Sequence, residues 1–190
     1  GIRLEDALAI VETLVTRTRE WNLPLFIASL DLKKAFDRVE HGPLFQALRD
    51  QGVDEPYVAL LLDLYEDQSA SANGSRTFPI RRGVRQGDVL SSLLFNAVLE
   101  TVFRRWKTKL SEHGWLIQPD HPRLTNTRYA DDCLLHAKNL SELTAMLEHL
   151  HDDLSAVGLE IHENKTKSSL HPTPAWPSLS RRSPQHQPTT

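Results

Sequence analysis

The chain has a single cysteine, Cys133, in 190 residues. That excludes an internal disulfide framework and a cysteine-based zinc site, and it fits a reducing, intracellular compartment. No apolar run approaches the roughly 20 residues of a membrane span, so no membrane partner is expected. The first residues, Gly1-Ile2-Arg3-Leu4-Glu5-Asp6, lack the basic-then-apolar plan of a signal peptide. Excess positive charge is also missing, because 22 Lys and Arg stand against 25 Asp and Glu for a formal net charge of -3. The summed field therefore does not mark a nucleic-acid-binding domain, and any phosphate contact must be local. There is no opening methionine and no internal repeat, and we read the chain as an excerpt of something longer.

What is present is the make-up of a folded protein, with 39% hydrophobic and 25% charged residues. The length suits one well-buried domain and is too short for several lobes. Ala7, Leu8, Val11, Leu14 and Val15 recur at helical spacing between residues 5 and 21. After Asn22 and Pro24, residues 25–30 form a short apolar run that reads as a buried strand, with Asp31 at its end. Proline openers and a glycine stop place helices from Pro43 to Gly52 and from Pro56 to about Ser69, and Asn73-Gly74 centres a hairpin over residues 69–80.

Leu93, Leu94, Ala97, Val98, Val102 and Trp106 give one side of a helix over residues 92–110, and residues 124–129 and 133–137 read as a second hairpin. The clearest helix covers residues 140–157, with a stripe of Leu140, Leu143, Met146, Leu147, Leu150, Leu154 and Val157, Asn139 as its cap and Gly158 as its stop. Residues 159–162 read as a short strand. Beyond them Pro, Ser, Thr and His dominate, so residues 1–168 are expected to fold and 169–190 to form a disordered tail. Hairpins and helices without strict βαβ alternation give the class α+β, an antiparallel sheet covered on one face by helices.

Three acids sit at the ends of short apolar strands: Asp31, and the adjacent Asp131 and Asp132. If the strands are neighbours, the carboxylates converge, repel one another and demand a cation. Magnesium suits such a cluster, being a hard ion that takes a few carboxylates, waters and phosphates; two ions about 3.5–4 Å apart would serve an in-line phosphoryl displacement. Singly, each acid has a plainer explanation, since an Asp-Asp pair in a tight turn is more often turn chemistry and Asp37 suits a cap or an ion pair. Two basic stretches, Arg76, Arg81, Arg82 and Arg85, then Arg104, Arg105, Lys107 and Lys109, read as solvated faces. Gly83-Val84-Arg85-Gln86-Gly87-Asp88 could bring backbone close to a phosphate or base, although glycine before a helix usually just turns the chain.

Three segments, in this order, carry a stronger signal: Leu30-Asp31-Leu32-Lys33-Lys34-Ala35-Phe36-Asp37-Arg38-Val39, Arg85-Gln86-Gly87-Asp88-Val89-Leu90-Ser91-Ser92-Leu93-Leu94-Phe95-Asn96, and Tyr129-Ala130-Asp131-Asp132. They closely resemble successive motifs of reverse transcriptases, of the kind carried by non-LTR retrotransposons and group II introns. Gly158-Leu159 with Lys165-Thr166 resembles a fourth motif, and the resemblance covers roughly residues 3–168. It implies a polymerase palm with partial fingers and no thumb, making DNA from dNTPs on an RNA template with a DNA primer. It implies Asp31, Asp131 and Asp132 as ligands of two magnesium ions, with manganese as a substitute, and Lys165 as a catalytic aid to pyrophosphate departure. Leu32 lies where the backbone meets the incoming triphosphate, Phe36 at the steric gate against a 2′-hydroxyl, and Arg85, Gln86 and Gly87 beside the nucleotide.

Two positions depart from the family's wording. The usual Asp-Pro-Leu-Ser-Pro is here Asp88-Val89-Leu90-Ser91-Ser92, and His162 stands where asparagine is common. The rest of the fingers, the thumb and any endonuclease would belong to the full-length protein, located in the nucleus for a eukaryotic non-LTR element and in the cytoplasm otherwise. Two other functions remain open at this point: an inactive truncated relic or nucleic-acid-binding scaffold with the same fold, and a two-metal nuclease.

Overall fold

A computed structural model of the chain describes residues 4–66, 69–72, 76–84, 89–117, 121–129, 132–163 and 165–171. Among these the chain runs α1 (Leu4–Glu20), β1 (Leu25–Leu30), α2 (Ala35–Arg38), α3 (His41–Asp50), α4 (Glu55–Glu66), β2 (Ser69–Ala72), β3 (Arg76–Pro79), α5 (Val89–Thr108), β4 (Asn126–Tyr129), β5 (Asp132–Ala137), α6 (Leu140–Ser155) and β6 (Lys167–His171). The class is α+β, as the pattern of the sequence requires.

Four strands make one antiparallel sheet in the order β4-β5-β1-β6, and β2 and β3 pair separately. The apolar run of β1 is therefore flanked by a strand on each side, with Phe26 to Leu30 opposite Ala137 to Cys133. Side chains alternate across a sheet, so Ala28 and Leu30 share a face with Cys133, Leu135 and Ala137, and all five are buried. On that face they join Leu143, Met146, Leu150 and Leu154 of α6, and Leu94, Val98, Val102 and Trp106 of α5, in a single core. α1 meets the sheet at its edge strand β4, and α3 packs on α5.

Local signals explain most boundaries. Asn139 Oδ1 accepts a 2.8 Å hydrogen bond from the Glu142 amide and caps α6. α1 stops at Asn22, which adopts φ 51 and lets the Leu23 amide reach back to Thr18 O at 2.8 Å.

Several expectations need correction. Residues 159–162 form no strand; Ile161 makes one isolated bridge with Leu32. β6 carries regular structure three residues past the expected boundary at 168, because residues 168–171 find an open edge on β1, while residues 172–190 lie outside the described ones. α5 begins at Val89, three residues earlier than expected. Leu93 and Leu140, assigned to buried stripes, are 63% and 54% exposed because each falls at the margin of its helix's buried arc. The short helix α2 had no signal of its own, and Asn73-Gly74 lies outside the described residues.

Trp106 fixes α5 to α6. It is fully buried, its Nε1 donates to Met146 O at 2.9 Å, and Phe103 meets it edge-on at 5.5 Å. Replacing it with alanine is expected to cost about 3–5 kcal/mol in urea unfolding, from lost burial and the residual cavity. A loss below about 1 kcal/mol would show that the two helices are held by something else.

Candidate active site

The sheet register brings the first acid to the third. Leu30 faces Cys133 in the β1–β5 ladder, and the residues next in line are Asp31 and Asp132. Residues opposite one another in an antiparallel pair have Cα atoms about 4.5–5.5 Å apart and side chains on one face, so both carboxylates leave the same end of the sheet. Asp31 is part-buried, with its side chain 43% exposed, and Asp132 is exposed. Asp131 lies outside the described residues, as do Arg85, Gln86, Gly87 and Asp88.

The loop after Asp31 is gripped from two sides. On one, the His162 amide donates to Asp31 O at 2.7 Å, the Lys33 amide to Glu160 O at 2.8 Å and the Glu40 amide to Val157 O at 3.1 Å. On the other, the Gly83 amide donates to Val39 O at 2.8 Å and the Val84 amide to Phe36 O at 2.7 Å. Two glycines make this closeness possible. A Cβ on Gly158 would stand 2.8 Å from Arg38 O and one on Gly83 3.0 Å from Asp37 O, and both residues have positive φ. The first resembling segment is thus tied by backbone to residues 157–162 around the fourth and to Gly83 and Val84 just ahead of the second, with Lys34 in the left-handed region at φ 45.

Lys165, Leu32, Phe36 and Asp37 lie within the described residues. Lys165 Nζ lies 3.2 Å from Asp31 Oδ2, carried by the turn in which the Lys165 and Thr166 amides donate to His162 O. Leu32 is part-buried and bridges to Ile161. Phe36 is part-buried and stacks on Phe95, centroids 4.7 Å apart at 30°; it is both a core contact and a partly open ring. Asp37 lies inside α2, whose cap position is Lys34.

Among the described residues no group of three or more His, Cys, Asp or Glu gathers closely enough to hold a metal ion. Asp31 and Asp132 are nonetheless hard oxygen donors at the same end of the sheet, the donor chemistry that magnesium takes, and a cation already sits against Asp31 in the form of the Lys165 ammonium.

Much of the surrounding charge is neutralised in pairs. Glu160 takes Arg38, and Lys33 at 3.6 Å; Arg82 meets Glu40 at 3.1 Å; Arg105 and Lys109 meet the buried Asp153 at 2.7 and 2.8 Å. The second basic stretch is therefore largely occupied with structure. Burial pushes the Cys133 thiol up to about 12, which leaves it an inert core group. Sequence reasoning missed Glu160, and also Glu100 and Arg128, which pair at 2.5 Å; no spacing joins partners so far apart in the chain.

The family model described as reverse transcriptase (RNA-dependent DNA polymerase) matches residues 4–187. The chain is 34% identical over 165 residues to the Retrovirus-related Pol polyprotein from type-2 retrotransposable element R2DM of Drosophila melanogaster, covering 84% of this chain and 15% of that protein. It is 36% identical over 146 residues to the corresponding polyprotein from type-1 retrotransposable element R2 of Nasonia vitripennis, covering 74% of this chain and 14% of that one. The chain thus spans a small part of the relatives it matches. Of solved structures, apo telomerase from Candida tropicalis superposes with a TM-score of 0.65 at 15% identity, over 93% of this chain and 37% of that one. Telomerase from Candida albicans, in complex with a fragment of telomeric RNA, gives 0.62 at 18% identity, over 90% and 30%. At these identities the likeness is one of fold.

His136, four residues along β5 from Asp132, supplies a test of the sheet. It is fully buried on β5, its Nε2 is 2.9 Å from Thr127 Oγ1, its Nδ1 has no partner, and burial lowers its pKa from 6.5 to about 4. Its contribution to stability is therefore full above pH 6.5 and drains away as pH falls from 6.5 towards 4, by roughly 3 kcal/mol at most. The expected result is an NMR titration midpoint for His136 near 4 together with falling urea stability across that window; a midpoint near 6.5 would contradict it.

Proposed function

We propose, from the premise that this chain belongs to the reverse transcriptase (RNA-dependent DNA polymerase) family, that it is the polymerase palm of a non-LTR retroelement protein. Its work is to join a deoxynucleotide to a primer 3′-hydroxyl on an RNA template. The observation that supports this reading is the ladder that ends with Leu30 opposite Cys133, one residue short of Asp31 and Asp132, with the loop after Asp31 gripped by residues 157–162 and by Gly83 and Val84.

In this reaction the hydroxyl attacks the α-phosphate and pyrophosphate leaves, so the protein mostly positions and neutralises charge. Asp31, Asp131 and Asp132 would hold the magnesium ions, which when bound supply positive charge to the attacking and departing oxygens. Leu32 and the backbone beside it lie along the triphosphate, and Arg85, Gln86 and Gly87 flank the nucleotide. Phe36, backed by Phe95, is a wall that a 2′-hydroxyl would strike. The Lys165 ammonium is 65% exposed, and a solvated ion pair is worth only about 0–1 kcal/mol, so it can leave Asp31 for a phosphate oxygen of the departing pyrophosphate. RNA template, DNA primer and dNTP are the partners. Because the chain spans 15% and 14% of its relatives, the fingers, the thumb and any endonuclease belong to the rest of the protein.

Primer extension on an RNA template with dNTPs and magnesium tests this reading. The 190-residue chain alone is expected to stay near background, and the longer protein with fingers and thumb to extend the primer. In the longer protein Asp31→Asn and Asp131→Ala should each lower the rate on the order of 100-fold or more, and Phe36→Val should raise ribonucleotide use. A longer protein that extends nothing leaves a relic or a nucleic-acid scaffold; an alanine variant that extends equally well removes the site assignment; RNA cut without dNTPs makes it a nuclease.

A further inference from the structure

We infer that Arg128 is a positioning residue for the acid pair, acting by clamping the β4–β5 hairpin onto α5 through Glu100 and Phe103. The inference rests on the reading of Asp31, Asp131 and Asp132 as ligands of divalent cations.

Among the described residues β4 is an edge strand that ladders only with β5, and that ladder ends at Tyr129 opposite Asp132. α1 meets β4, and a second anchor for the acid-bearing hairpin comes from below. Arg128 pairs with Cys133, whose side chain is buried, so it leaves the sheet on the core face, opposite the face of the acids. There its Nη2 donates to Glu100 Oε2 at 2.5 Å, and its Cζ lies 4.5 Å from the centroid of the Phe103 ring. Glu100 is held in place on its other side by Arg104 Nε at 2.9 Å. Burial, the largest single influence on Glu100, pushes its carboxyl up, but the hydrogen bonds from Arg128 and Arg104 outweigh it and hold it below the usual value. It is therefore an anion at neutral pH.

One planar cation thus has an edge on a carboxylate and a face on a ring, both carried by one helix. A lysine could supply the charge but not this pair of contacts together. α5 is well chosen as the anchor. Phe95, which backs Phe36, lies on it, and it begins at Val89, directly after the Arg85 to Asp88 segment. The clamp ties the β4–β5 hairpin to the helix that also carries Phe95, the backing of the gate ring.

The test is manganese binding by the 190-residue chain, read by electron paramagnetic resonance beside melting temperature. Charge alone and positioning predict opposite signs. Removing a nearby cation should tighten binding if only charge matters, whereas loosening the hairpin should weaken it. We expect Arg128→Ala to raise the manganese Kd at least about 10-fold, the size usual when supporting contacts behind metal ligands are lost. Arg128→Lys should recover only part of that loss, and Arg123→Ala, a matched removal of surface charge, should change nothing. Glu100→Gln should weaken binding similarly and add little in the double variant, as coupled partners do. Binding by Arg128→Ala equal to or tighter than the native chain overturns the inference. If that variant does not stay folded, Arg128→Gln, which keeps more of the side chain and removes the same charge, decides by the same criterion. A native chain that binds no manganese, or binds equally well as Asp31→Asn, overturns instead the cation reading on which the inference stands.

Discussion

Two carboxylates side by side repel, and they stay together only where the backbone gives them no alternative. Here the restraint is the pairing of β1 on both sides, which fixes where Leu30 ends and Asp31 begins. The grip on the loop beyond it, from residues 157–162 and 83–84, continues that restraint to Val39 and Glu40. The cost of holding the acids is spread over backbone hydrogen bonds that cannot be relieved by a side-chain rotation. Gly83 and Gly158 matter for the same reason, since a methyl group at either would push apart the segments that do the holding.

The regular elements were readable because their signals are local. Asn139 caps the helix that follows it, and the spacing of Leu143, Met146, Leu150 and Leu154 sets its buried face within one element. The strand of residues 25–30 was legible from its apolar run and Pro24. What could not be read depended on partners elsewhere. β6 is made of Lys-Ser-Ser-Leu-His, with no strand pattern, and exists because β1 offers an open edge. Residues 159–162 have a strand-like composition yet only one bridge, because the neighbouring loop bends away after Lys33.

The site divides in the same manner. Asp31 and Lys165 stand at fixed places in their motifs, and the fold brings them within 3.2 Å of each other. Glu160, Glu100 and Arg128 belong to no such pattern. Their importance comes from where folding puts them: Glu160 beneath Lys33 and Arg38, and Arg128 on the edge strand against Glu100 of α5. A charge that serves to orient its neighbours leaves no trace in spacing, because its partner can come from any element that the fold brings near.

Pairing of this kind also bears on how such a domain would meet a polyanion. Among the described residues Lys33, Arg38, Arg82, Arg104, Arg105, Lys109, Arg123 and Arg128 all have carboxylate partners. A lysine or arginine already neutralised releases few counterions on meeting a phosphate, and it is that release which supplies most of the affinity for nucleic acid. With a net charge of -3, the chain is therefore better built to hold cations at its acids than to hold a template by its surface. On the proposed reading these residues furnish the acids, the gate and the frame beneath them, in a chain that spans about a seventh of the length of those two relatives.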